Sequence, residues 1–168
     1  MPTSGRARKP DALVDTSAAV ALCVADHEFH EVATDVLEGM RLGLAGHAAF
    51  ETFSVLTRLP PPNRRPPAVV GRLLATNFPE SRFLSPGATA ALLERLHDGE
   101  IAGGSVYDAL VGAAAGEHGL TLYTLDRRAL DTYRLLGVPV EVLTTLGPTR
   151  RLPGSEGRPA AVRPPPRT

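Results

Sequence analysis

Ala12-Leu13-Val14-Asp15-Thr16-Ser17-Ala18-Ala19-Val20-Ala21-Leu22-Cys23 is the most informative stretch of the chain. Three consecutive apolar residues without alternation read as a strand buried on both faces, the habit of a parallel sheet. Asp15, Thr16 and Ser17 then supply the acceptor side chains that open a helix, and the alanine-rich run to Cys23 continues it. A short buried strand leading straight into a helix is the first half of a βα unit.

Working outward, the pattern repeats. Helical stretches are expected at 28–38, 47–59, 68–76, 88–96, 106–117 and 127–136, and strands at 41–45, 82–84, 121–124 and 140–143. Gly39 and Gly137 supply helix stops, and Pro60-Pro61-Pro62 ends the 47–59 helix abruptly. The segment 60–67 holds five prolines around Asn63, Arg64 and Arg65, which makes it a stiff, exposed connection. Strands alternating with helices give an α/β domain with a mainly parallel sheet and helices on both faces. Ligands in such sheets sit at the carboxyl ends of the strands, so the residues that follow strands are the ones to weigh, Asp15 and Asp126 among them.

The 168 residues suit one domain. Basic and acidic residues number 18 each, yet they are segregated. Residues 1–10 are a basic extension, and residues 148–168 are rich in proline and arginine and read as a disordered tail. The body, 11–147, keeps ten basic and seventeen acidic residues, a net of −7. Bulk electrostatics therefore do not favour nucleic acid on the body, unless the acids converge on a cation that inverts the local field. The single cysteine excludes a disulfide framework and a cysteine-based zinc cluster. No apolar run is long enough to span a bilayer or to act as a secretory leader, so a cytoplasmic location without membrane association is the expectation. No GxGxxG or GxxxxGKS pattern supports a nucleotide-binding loop. His27 and His30 are close in sequence but lack a third nitrogen or sulfur ligand nearby, which favours surface or interface roles over zinc. Cys23 and the phenylalanines 29, 50, 53 and 83 read as core or dimer-interface material, with no evident aromatic platform for single-stranded RNA.

Four acids then compete between structural and chemical roles. Asp15 ends the first strand and is suited to capping the helix that follows. Glu51 shares a helix face with Val55 and Arg58 and, flanked by Phe50 and Phe53, is expected at the edge of the core. Asp108 follows Ser105 by three residues, the spacing of a capping box, at the front of a small-residue helix. Asp126 closes the 122–125 apolar run as Asp15 closes the first, with the Thr124 hydroxyl nearby. Gathered at one rim, such carboxylates repel and raise one another's pKa, and a hard divalent cation relieves this. Oxygen-only ligands suit Mg²⁺ or Mn²⁺, and such a site hydrolyses phosphodiesters. Two other readings remain open on the residues alone. A non-catalytic α/β interaction protein would use the acids only as helix caps. A different Asp-dependent phosphohydrolase would use Asp15, although the Asp-x-Asp of haloacid-dehalogenase-type phosphatases is broken here by Ser17.

The phrases Leu13-Val14-Asp15-Thr16-Ser17, Glu51 in the third helix, Tyr107-Asp108-Ala109-Leu110 and Thr124-Leu125-Asp126 resemble the PIN domain, and most nearly the VapC-type toxins. Glu117-His118-Gly119-Leu120-Thr121-Leu122, Asp126-Arg127-Arg128-Ala129-Leu130 and Leu136-Gly137-Val138 extend the resemblance, which covers about residues 12–143. It implies a three-layer α/β/α sandwich and a Mg²⁺- or Mn²⁺-dependent endoribonuclease acting on structured RNA such as transfer or ribosomal RNA. Asp15, Glu51, Asp108 and Asp126 fall on the metal-binding acids of the family, and Thr16 or Ser17 on the small polar residue that orients the first of them. The resemblance also implies a homodimer and a cognate antitoxin that occludes the site. RNA would be held by basic residues around the acids, with Arg58, Arg64, Arg65, Arg127 and Arg128 as candidates.

Overall fold

The computed structural model describes residues 9–98 and 101–144. The basic residues before Lys9 and the Pro/Arg-rich segment 148–168 lie outside them. Four strands form one wholly parallel sheet in the order β2-β1-β3-β4: β1 (Ala12–Val14), β2 (Leu42–Leu44), β3 (Leu122–Thr124) and β4 (Val140–Val142). The helices are α1 (Thr16–Cys23), α2 (His30–Leu37), α3 (Ala48–Arg58), α4 (Pro67–Asn77), α5 (Pro86–His97), α6 (Ser105–His118) and α7 (Leu130–Leu135). A 3₁₀ turn, Arg127–Ala129, precedes α7, so the helix expected at 127–136 is divided in two.

The first strand explains the layering. Successive side chains of a strand point to opposite faces. Ala12 and Val14 pack with Ala18, Ala19 and Ala21 of α1 and with Ala33 and Leu37 of α2. Leu13 packs on the other face with Val111 and Ala115 of α6 and with Tyr133 of α7. All three β1 residues are buried, which is why the stretch lacks polar alternation. Small residues allow close approach on both faces. A Cβ on Gly112 would come within 2.9 Å of the Tyr133 ring.

The two neighbouring strands β1 and β3 send their following helices to opposite faces, α1 to one and α7 to the other. Their carboxyl ends therefore border an open crevice, the switch point at which ligands of such sheets bind.

One expectation is corrected. The stretch 82–84 is not a strand. Arg82 makes only an isolated parallel bridge to Ala45, because segment 80–82 runs beside β2 for three backbone hydrogen bonds, Glu80 N–H to Leu42 O, Arg82 N–H to Leu44 O and Gly46 N–H to Arg82 O, with one more from Leu44 N–H to the Ser81 hydroxyl. Of the core and interface alternatives for the phenylalanines, Phe50 and Phe83 lie outside the core: they are 65% and 49% exposed, and Phe53 is also exposed. Helical period places Phe50 and Phe53 on the outer side of α3, away from its buried Ala48, Thr52 and Leu56.

The close passage of segment 80–82 depends on Gly43, where a Cβ would lie 2.1 Å from the Glu80 carbonyl oxygen. The atoms that Cβ would meet, in Glu80 and Ser81, are all backbone, so relief requires the segment to move. Gly43→Ala is expected to cost about 3 kcal/mol, the upper part of the range for overpacking, and chemical denaturation would measure it. A denaturation midpoint equal to that of the unsubstituted chain would show that the segment is not held at this distance.

Candidate active site

Asp15 caps α1, its Oδ1 accepting from the Ala18 amide at 3.0 Å and from the Ser17 hydroxyl at 2.6 Å. Its Oδ2 accepts from the Thr124 hydroxyl and, at 3.5 Å, from the Tyr133 hydroxyl. The two short hydroxyls serve as relays. Ser17 Oγ accepts from the Leu125 amide at 2.8 Å, and Thr124 Oγ1 accepts from the Asp126 amide at 2.9 Å. The carboxylate of one strand end is thereby locked to the backbone of the other. Asp15 is 5% exposed, and burial raises its pKa despite the bonds from Ala18, Ser17 and Thr124, which lower it.

Glu51 is exposed rather than at the core edge, and its Oε2 accepts from the Thr16 hydroxyl at 2.6 Å. Asp126 caps the 3₁₀ turn through the Arg128 amide at 2.9 Å and takes the Arg128 guanidinium on both oxygens, at 3.1 Å each. This bond to Arg128 holds its pKa below the usual carboxylate value.

Asp108 differs from the other three. The expected capping box is absent: α6 begins at Ser105, its N-cap is Gly104, and no side chain caps it. Asp108 thus stands in the first turn with a half-buried carboxylate that, among the described residues, has no hydrogen bond and no ion pair. Desolvation raises its pKa, and the charges of Asp126, Asp15 and Glu51 raise it further, in that order.

All four acids line one cavity of about 180 Å³, together with Thr16, Ser17, Val111 and Tyr133. Among the described residues no three metal-ligating side chains are drawn together closely enough to hold an ion as they stand. The donor set nevertheless fits one. It is all oxygen, it faces a single cavity, and one member is destabilised by the other three. A capping-only account explains Asp15 and Asp126 and leaves Glu51 and Asp108 without a capping role. Burial pushes the Cys23 thiol up to about 11, which makes it a poor nucleophile. His30 Nδ1 donates to the Ala21 carbonyl, and His27 Nδ1 accepts from the Phe29 amide.

The candidate RNA-contacting arginines divide. Arg128 is at the acids, and Arg127 beside it is exposed. Arg58 ends α3 with its Nε donating to Ser54 O, while Arg64 and Arg65 donate to the carbonyls of Leu59 and Pro62. Tyr133 was not singled out from the sequence. Its spacing within the last helix marks it as core, and only the fold brings its hydroxyl to Asp15.

The PIN-domain family model matches residues 12–135. The chain belongs to the PIN-domain family. Ribonuclease VapC27 of Mycobacterium tuberculosis is 46% identical over 134 residues, covering 80% of this chain and 98% of that protein. Ribonuclease VapC40 of the same species is 44% identical over 132 residues, covering 77% and 97%. The crystal structure of M. tuberculosis VapC20, titled a sarcin-ricin-loop-cleaving toxin, aligns with a TM-score of 0.57 at 20% identity, over 72% of this chain and 94% of that one. At that identity the likeness shows the fold, which is the PIN-domain α/β/α sandwich. Among the described residues no helix is long and apolar enough to cross a membrane.

The electrostatics of this PIN domain give a signed expectation. A carboxyl whose folded pKa is raised contributes stability below its unfolded value, near 3.8, and that contribution is lost as pH rises through the folded pKa. Asp108→Asn in metal-free protein is therefore expected to raise the melting temperature at pH 7 by about 2 °C. The gain should vanish below pH 3.8, where both forms are neutral. A lower melting temperature at pH 7 would mean that Asp108 is a structural residue.

Proposed function

We propose that this PIN domain is an endoribonuclease that requires Mg²⁺ or Mn²⁺, cuts structured RNA such as transfer or ribosomal RNA, and acts in the cytoplasm as the toxin of a toxin–antitoxin pair. The observation that carries the reading is Asp108: an unpaired, half-buried carboxylate facing Asp15, Glu51 and Asp126 across one cavity. The identity to two VapC ribonucleases supports the reaction class.

Asp15, Glu51, Asp108 and Asp126 would hold the ion, which when bound neutralises their charge and polarises the phosphodiester for attack by water. The chain's own part is placement. Thr124, Ser17 and the Ala18 amide fix both oxygens of Asp15, and Thr16 fixes Glu51. Arg128, which here donates to both oxygens of Asp126, would be free to meet a phosphate oxygen if that carboxylate engaged an ion. A basic side chain of an antitoxin entering the cavity would relieve the same repulsion as a cation does, which is a physical route to inhibition.

Asp15→Asn is expected to lower cleavage of total cellular RNA by at least about 100-fold, above the effect usual for outer-shell partners, with the fold retained by circular dichroism. Chelation by EDTA should do the same to the unsubstituted chain, and added Mg²⁺ should restore it. Undiminished cleavage by Asp15→Asn would overturn the reading.

We further infer that the chain is a homodimer through its exposed aromatic face. Phe50 and Phe83 meet edge to face at 6.0 Å, and His47 stacks on Tyr107 at 5.1 Å, with Phe50, Phe83 and Tyr107 all solvent-exposed. Contiguous exposed apolar surface of this kind marks an association site. Phe83→Glu is expected to convert the dimer into a monomer in analytical ultracentrifugation. A monomeric unsubstituted chain at tens of micromolar would refute this arrangement.

A further inference from the structure

Beside the acid cavity lies a second, larger one of about 390 Å³, within the size range of small-ligand sites. The two share the walls Thr16, Ser17 and Asp126. The rest of the second cavity is lined by the apolar Val20, Phe29, Val55 and Leu125 and by the polar side chains of His27, Glu28 and Arg128. Its hydroxyls are already engaged, Thr16 donating to Glu51 and Ser17 bonding Asp15 and the Leu125 amide. Val55 also borders a further hollow formed with Arg58, Leu59 and Pro60. Glu51, Val55 and Arg58 are spaced by four and three residues on one side of α3, and the helix rises about 10 Å between the first and the last. Acid site, apolar cavity and arginine thus follow one another along a single track, with Arg128 at its near rim.

We propose that this apolar cavity receives the unpaired nucleobase next to the phosphodiester that is cut, and so sets the sequence preference of cleavage. The inference rests on the endoribonuclease reading above and adds the substrate-contacting residues to it. A nucleobase has two apolar faces and carries its polar groups on its edge. That matches apolar walls whose own hydroxyls are occupied. It also matches the Phe29 ring, with the His27 imidazole beside it, on which to stack, as unpaired bases do on RNA-binding proteins. The charges agree in order: the attacked phosphate at the acids and their cation, the base in the cavity, and a neighbouring phosphate toward Arg58.

The test uses the full chain with Mg²⁺ and hairpin RNAs whose unpaired loop is randomised around the cut, the products being sequenced. The unsubstituted chain is expected to prefer one base at a single position beside the cut. An abasic nucleotide placed there should slow cleavage about tenfold or more. Val55→Phe fills the cavity and Phe29→Ala removes its ring. Each should abolish the preference at that position alone and raise KM with kcat nearly unchanged, and the abasic substrate should be no worse than the intact one for Val55→Phe. An abasic scan with no sensitive position overturns the proposal without recourse to any variant. So do folded variants that keep the wild-type preference, and variants that cut normally but resist the antitoxin, which would assign the cavity to a protein side chain. Failure of the unsubstituted chain to cut any RNA is a separate result: it overturns the nuclease reading, and this inference falls with it.

Discussion

One buried carboxylate ties together the parts that make the crevice. Asp15 receives four donors from three different elements: the α1 amide and hydroxyl, the hydroxyl at the end of β3, and the phenol of α7. Ser17 and Thr124 pass the constraint on to the backbone just after β3. A buried anion is costly unless it is hydrogen-bonded, and here its donors come from both sides of the switch point. The two strand ends therefore hold a fixed spacing, and the position of Asp126, two residues past Thr124, follows from it.

The same arrangement leaves a surplus of negative charge. Asp126 is offset by Arg128, and Glu51 by a single hydroxyl, but Asp108 is offset by no direct partner among the described residues. Its helix needs no carboxylate there, since α6 starts without a side-chain cap. Stability alone would favour a neutral residue at that place, so the local conflict between sequence and stability falls where a bound cation would resolve it. Conflicts of this kind are expected at functional sites.

Around the acids the surface is less polar than the net charge of the body implies. On one side Phe50 of α3, Tyr107 of α6 and Phe83 of the segment before α5 form an exposed face. On the other, α1 and α3 enclose the cavity walled by Val20 and Val55. Both adjoin residues of the site by helical spacing: Phe50 precedes Glu51, Tyr107 precedes Asp108, and Val55 lies one turn beyond Glu51. Helix α3 thus carries Phe50 of the proposed self-association face, Glu51 of the acid cavity and Val55 of the proposed base cavity at successive angles.

What the sequence determined by itself was local. The run 12–23 carries a buried strand and the capped helix after it, because continuous apolarity and an N-cap acid act within a few residues. The order of strands and helices, and with it the α/β class, follows from the same short-range signals, and the four acids were identifiable by their flanking residues. Tertiary structure decided what depends on contacts distant in sequence. The Ser105–Asp108 spacing promised a capping box, but the helix begins one residue too early for Ser105 to stand at the cap. Phe50 and Phe83 have the composition of core residues, and only packing reveals that the core is filled without them. The short stretch 82–84 pairs too briefly to be a strand. The bond from Thr124 to Asp15 crosses 109 residues, and no local pattern encodes a partner that far away. Periodicity records which side of an element is apolar, whereas the identity of what lies opposite is fixed only when the whole chain has closed.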